Sequence, residues 1–170
     1  MFNGYQEGAK LIVPHTRVIW GDAQSFADQD RAASEAKRLI AQGVQVMMLA
    51  AGAGNSAALA EAKKAGIYVL GLDVDQKNIY PGHVLLSIEK KIAQAVYQII
   101  SDTYQDNFQG KEIVTYDLKN GLAITDPAKS LGSGHNLDNL KRRLKELTHE
   151  INQESIRIKS LRTRTLCNCL

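Results

Sequence analysis

The stretch Val44-Gln-Val-Met-Met-Leu-Ala-Ala-Gly-Ala-Gly-Asn55, continuing after a short alanine-rich segment into Ile67-Tyr-Val-Leu-Gly-Leu-Asp-Val-Asp-Gln76, decides the fold. It reads as a strand over Val44–Leu49, a glycine turn over Gly52–Gly54, a helix over Ser56–Lys64 and a second strand over Ile67–Leu72. Two short apolar runs flanking a helical segment make a βαβ unit. Such a unit needs parallel strands, a right-handed crossover and a sheet covered on both faces. Ligands on these sheets sit beyond the carboxyl ends of the strands. The loops at Ala51–Asn55 and Asp73–Gln76 are therefore expected along one edge, and function is expected there.

Outward from this unit, Phe2, Tyr5, Ala9 and Ile12 repeat at helical spacing, and Pro14 stops that helix. Thr16–Trp20 alternates toward a strand and ends at Gly21-Asp22. Asp28 opens a helix whose apolar face is Ala32, Ala33, Ala36, Leu39 and Ile40, with Gly43 as its stop. Downstream, Pro81-Gly82 marks a turn and Val84–Ser87 a short strand. A long helix then carries Ile88, Ile92, Ala95, Val96, Ile99 and Ile100. Glu112–Leu118 and Leu122–Thr125 read as a hairpin about Asn120-Gly121. Strand and helix alternate, so the fold class is α/β, a three-layer sandwich with a mainly parallel sheet.

The expected organisation is one α/β lobe over residues 1–129, a linker over 130–135, an amphipathic helix over 136–155 and a basic, disordered tail over 156–170. In that helix Leu137, Leu140, Leu144, Leu147 and Ile151 alternate three and four apart. The spacing suits either packing on the helix's own domain or a dimer seam. Residues 1–135 hold 13 Lys and Arg against 14 Asp and Glu, whereas 136–170 hold 8 against 4. The net charge of +3 thus belongs to the tail, and the body has no basic nucleic-acid face. There is no run of 18 apolar residues and no signal peptide, so the chain as written is expected in the cytoplasm. Cys167 and Cys169 read as free thiols. The four histidines are scattered, no nucleophile elbow surrounds Ser25 or Ser56, and no metal set is spaced for binding. Neither catalysis nor a cofactor is expected.

A set of short motifs, taken in order, resembles the second half of the basic membrane protein family, purine-nucleoside-binding lipoproteins of ABC transporters. They are Gly4-Tyr5-Gln6-Glu7-Gly8-Ala9, Ser25-Phe26-Ala27-Asp28, Ala50-Ala51-Gly52-Ala53-Gly54, Gly71-Leu72-Asp73-Val74-Asp75-Gln76, Pro81-Gly82-His83-Val84-Leu85 and Ser87-Ile88-Glu89-Lys90. The resemblance implies one lobe of a type I periplasmic-binding-protein architecture, which closes around a ligand by hinge motion. It also implies an extracytoplasmic, membrane-anchored setting for full-length members, a permease partner and a first lobe that precedes this one.

On that resemblance Asp73, directly after a strand, would accept hydrogen bonds from ribose hydroxyls; otherwise it is a turn aspartate. Asp75 is read as ordering its loop. Phe26 would stack on a purine, or else staple the following helix, and Ser25 would donate from the same loop. Gly52 and Gly54 would let backbone approach the ligand, or simply make a tight turn. Lys90, near the start of the long helix, would reach a base or ribose acceptor. The expected ligand is guanosine, adenosine or inosine, bound weakly because a half-cleft encloses little of it. A homodimer through Leu137, Leu140, Leu144 and Leu147 is the further partner considered. The alternative is a cytosolic transcriptional regulator of the same descent, whose nucleic-acid binding would use the basic tail.

Overall fold

The computed structural model describes residues 2–128, 135–154 and 156. Its elements are α1 (Phe2–Ile12), α2 (Gln29–Ala41), β1 (Val46–Met48), a 3-10 turn (Gly52–Gly54), α3 (Asn55–Lys64), β2 (Tyr68–Asp73), β3 (Val84–Lys90), α4 (Ile92–Tyr104), β4 (Leu122–Ile124) and α5 (His135–Asn152). The sheet runs β1-β2-β3-β4. The first three strands are parallel and β4 is antiparallel to β3. The α/β class and the mainly parallel sheet are as read from the sequence.

Local chemistry places the helices. Asp28 caps α2, its Oδ1 accepting from Arg31 N at 2.9 Å. Gly43 and Gly66 follow α2 and α3 with φ of +84° and +68°, a region where glycine carries no Cβ penalty. Ala32, Ala36 and Leu39 of α2 meet Ala58, Leu59 and Ala62 of α3 over Met47, Leu49, Val69 and Val84 of the sheet. Small residues dominate this core, so the two helices approach closely. Gly54 is buried at their crossing, where a Cβ would sit 2.7 Å from the Ala32 methyl.

Three expectations are corrected. Thr16–Trp20 has no regular secondary structure and is unpaired; no backbone hydrogen bond joins it to β1 among the described residues. It is held off the sheet edge from its far end. Arg38 Nη2 donates to Trp20 O at 3.1 Å, Asp22 N donates to Glu35 Oε1 at 3.1 Å, and the Trp20 ring stands edge-on to Phe2 at 5.2 Å. Second, β3 continues through Ile88 to Lys90, and the long helix starts only at Ile92. Two-sided pairing explains this: Ile88 and Glu89 pair with Leu72 and Asp73 of β2, while Ile88, Glu89 and Lys90 pair with β4. Third, residues 112–118 form no strand, and Ile113 is 97% exposed. Asp117 O accepts from both Gly121 N and Leu122 N at 2.8 Å, which turns β4 toward the longer β3 edge instead of a hairpin partner. Residues 130–134 of the expected linker and the tail beyond 156 lie outside the described residues, and α5 begins at His135, the last residue of that linker.

The guanidinium of Arg38, 2.6 Å from Glu35 Oε1, together with the Asp22 amide, holds the Glu35 carboxyl below the ordinary carboxylate range. A depressed folded-state pKa adds stability above the unfolded value, and that stability is lost as pH falls through the folded one. Glu35→Gln is therefore expected to flatten the acid limb of a stability–pH curve below the ordinary glutamate range, while the neutral plateau drops. An unchanged acid limb would remove Glu35 from the acid transition.

Candidate functional site

Two clusters are built along the carboxyl edge of the parallel strands. The first is the loop before α2. Asp22 Oδ1 accepts from Gln24 N at 2.8 Å, and Ser25 Oγ accepts from Ala27 N at 3.1 Å and Asp28 N at 3.0 Å. These short side-chain turns fix the backbone without a ladder, and they commit the Ser25 oxygen locally. Gln24 takes φ +53° to complete the bend. The result is a Phe26 ring left 78% exposed on a fixed stalk.

That stalk rests on the glycine turn. Ala53 N donates to Phe26 O at 2.8 Å. Gly52 has φ +58°, and a Cβ there would lie 2.8 Å from Phe26 O. Gly52 therefore admits the Phe26 backbone itself, and Gly54 admits Ala32. Asn55 Oδ1 accepts from Ala51 N at 2.6 Å and closes the turn. Gly52→Ala is expected to lower stability by about 1–3 kcal/mol, from left-handed strain plus the collision, measured by chemical unfolding. A change within ~0.5 kcal/mol would mean the loop is not held where it is seen.

The second cluster ends β2 and β3. Asp73 takes φ +75°, a conformation that costs a non-glycine residue about 1–2 kcal/mol and that gathers at binding sites. Its Oδ1 lies 2.6 Å from Lys90 Nζ, a close ion pair that lacks the alignment of a hydrogen bond. Both side chains are about half exposed. Asp75 orders its own loop, accepting from Lys77 N at 3.0 Å and pairing with Lys77 Nζ at 3.5 Å.

Beneath Asp73 sits a polar knot that sequence reading passed over. Ser87 is fully buried, and its Oγ accepts from Gln76 N at 3.0 Å. Gln76 Nε2 donates to Leu72 O at 3.0 Å, while Gln76 Oε1 is buried with no partner. Ser87 N donates to Thr125 Oγ1 at 2.8 Å. Gly71 leaves no space for a Cβ against Ser87 Oγ. A buried serine facing a glycine is a weak signal in sequence, because nothing local says the two strands align there.

The edge thus holds an exposed aromatic ring and, separately, a carboxylate beside an ammonium. No hydrogen bond or ion pair joins the two clusters among the described residues. A cavity of about 1190 Å³ runs between the 16–26 segment and β1, lined by Tyr5, Trp20, Phe26, Met47 and Ala51 among others; Asp73 and Lys90 do not line it. Among the described residues, no set of three or more His, Cys, Asp or Glu is placed to hold a metal ion, and no helix is long and apolar enough to cross a membrane. On α5, Leu144 shares a cleft of about 310 Å³ with Leu122 and Ile124, so part of the leucine seam faces β4 of its own chain.

The model of the Bmp family, described as ABC transporter substrate-binding protein PnrA-like, matches residues 1–160. The chain is 30% identical over 160 residues to basic membrane protein A of Borreliella burgdorferi, covering 89% of this chain and 47% of that protein. It is 28% identical over 161 residues to basic membrane protein B of Borreliella afzelii, covering 91% and 46%. It therefore spans less than half the length of these curated relatives. Among solved structures, a transcriptional activator of the comK gene from Bacillus halodurans superposes with a TM-score of 0.74 at 16% identity, over 90% of this chain and 52% of that one. An ABC transporter solute-binding protein from Aeropyrum pernix superposes with a TM-score of 0.64 at 24% identity, over 89% and 40%. These two likenesses speak for the fold. With its parallel βαβ core and its family model matched from residue 1 to 160, the chain belongs to the Bmp family of PnrA-like ABC transporter substrate-binding proteins.

Proposed function

We propose that this chain is one lobe of the substrate-binding component of an ABC transporter and that its ligand is a purine nucleoside. The observation that carries the reading is the carboxyl edge of the sheet, where Asp73 is held at φ +75° beside Lys90 and Phe26 is presented 78% exposed on the Gly52 turn. An ionised carboxylate accepts two hydrogen bonds from vicinal ribose hydroxyls. The Lys90 ammonium offers donors to a base or ribose oxygen, and the Phe26 ring offers a face for a purine. Ser25 and the Gly52–Gly54 turn complete this half of the cleft. No step of bond making is needed, and none is assigned. The lobe would act outside the cytoplasmic membrane, facing a first lobe and delivering ligand to a permease.

Half a cleft buries much less of a ligand than a closed pocket does. Guanosine, adenosine and inosine are therefore expected to bind the isolated chain with Kd on the order of millimolar, about −4 kcal/mol. An NMR titration with each nucleoside should move the amides around Phe26, Gly52, Asp73 and Lys90 together. Shifts confined to other regions, or none at ten millimolar, would reject the nucleoside reading. A micromolar Kd by calorimetry would show a complete site on this chain. The regulator alternative has less in its favour: Arg142 and Arg143 of α5 are paired with Glu146, and Arg143 with Glu150, rather than presented to a phosphate backbone.

A further inference from the structure

The helix α4 carries its apolar side outward. Ile92, Val96, Tyr97, Ile99, Ile100 and Tyr104 are all exposed, from 44% for Ile99 to 90% for Tyr104, and no residue of the helix is buried. At the helical repeat these six share one side, while Gln94, Gln98, Ser101 and Asp102 share the other. Ala95, Ser101 and Asp102 are the residues of α4 with partial cover, so what cover the helix has lies on its polar side. Its exit angle is fixed at the start: Lys91 alone separates β3 from α4, and its N–H donates to Gly121 O at 2.9 Å.

We propose that the outer face of α4 is a dimer interface, covered by the α4 of a second copy running antiparallel. The row Ile92, Val96, Ile100 and Tyr104 is spaced by four, a ridge of the kind that packs into the matching groove of another helix. That row is symmetric about Gln98. Reversed and laid on itself, it sets Ile92 against Tyr104 of the second copy and Val96 against Ile100, as a two-fold axis requires. The antiparallel sense also opposes the two helix dipoles favourably. Two tyrosines supply about 150–250 Å² each when covered, and the four aliphatic side chains bring the face to roughly the 800 Å² per partner of a standard interface. A monomer seldom leaves a contiguous apolar patch above about 300–600 Å² in water. Charge argues against a membrane as the occupant. The sole charged residue of α4 is Asp102, already accepting from Gln98 Nε2 at 2.8 Å, and no basic residue is present to meet anionic lipid.

Sedimentation velocity on the full chain across the micromolar range tests this. The expected result is a monomer–dimer equilibrium with Kd on the order of micromolar. Ile100→Asp should weaken it at least 100-fold, because the two-fold axis places the change in the interface twice. Ile100 is 62% exposed, so the variant keeps the fold, checked by an unchanged circular dichroism spectrum. Ile92→Lys and Tyr104→Glu should each be monomeric alone and form a heterodimer when mixed, since only the antiparallel register sets position 92 against position 104. A chain that stays monomeric throughout the range would overturn the proposal and leave the face to another occupant, such as the first lobe. Retention of that monomer on phosphatidylglycerol vesicles, lost in Ile100→Asp, would give the face to a membrane instead. A dimer that survives Ile100→Asp would overturn it too, assigning self-association to another surface such as the α5 leucines.

Discussion

Asp73→Gly is expected to leave the fold intact and to weaken nucleoside binding by at least tenfold. The two effects separate because Asp73 is strained in a way glycine relieves. At φ +75° an aspartate gives up about 1–2 kcal/mol that a glycine does not. Against this gain stand the Asp73–Lys90 pair, half exposed and so contributing about 0–1 kcal/mol, and the added freedom of glycine in the unfolded chain, about 0.4–1 kcal/mol. The net change in unfolding free energy should lie within about 1 kcal/mol of zero. Binding has no such compensation. Each hydrogen bond to a charged acceptor contributes about 1.5–3 kcal/mol, so losing even one of the two proposed to ribose would give tenfold or more. Chemical unfolding and NMR titration with guanosine, run on the same preparation, read the two quantities. Equal affinity in the variant would take ribose recognition away from Asp73.

Leu59→Ala should lower the unfolding free energy by about 2–5 kcal/mol. Leu59 is 2% exposed and belongs to a core that otherwise depends heavily on alanine: Ala32, Ala36, Ala58 and Ala62 fill the helix side. Few large side chains are there to relax into the space left behind, which places the cost toward the upper part of that range. A lobe of this size has about 5–15 kcal/mol in total, so the loss is a large fraction of it. A denaturant midpoint that falls with an unchanged slope is the expected signature. A loss under about 1 kcal/mol would mean that the stability resides outside the α2–α3–sheet cluster.

Closely apposed helices and a sparse large-residue core also explain where reading the sequence succeeded. The βαβ unit at 44–76 was legible because every signal in it is local: apolar runs, an alanine helix, and glycines at Gly43 and Gly66 that need positive φ. The Asp28 cap was legible for the same reason. Family resemblance supplied Phe26, Gly52, Asp73 and Lys90 as candidates, but it did not say what each one touches. Gly52 accommodates the Phe26 backbone, Gly54 accommodates Ala32, and Lys90 ends a strand instead of opening a helix.

The sequence by itself determined the α/β class, the helices α1 to α3 to within a few residues at their ends, the presence of α4, and the carboxyl edge as the place where polar residues follow strands. Those features rest on periodicity and on turn chemistry, which neighbours in the chain settle among themselves. Only the tertiary structure decided that Thr16–Trp20 stands away from β1, that β3 runs on to Lys90, and that Ser87 locks under Asp73. Each of these depends on which backbone edge finds a partner across the sheet. That competition is between segments distant in sequence, and it is settled by register, by the reach of Arg38 and Glu35, and by the space that glycine leaves at Gly71.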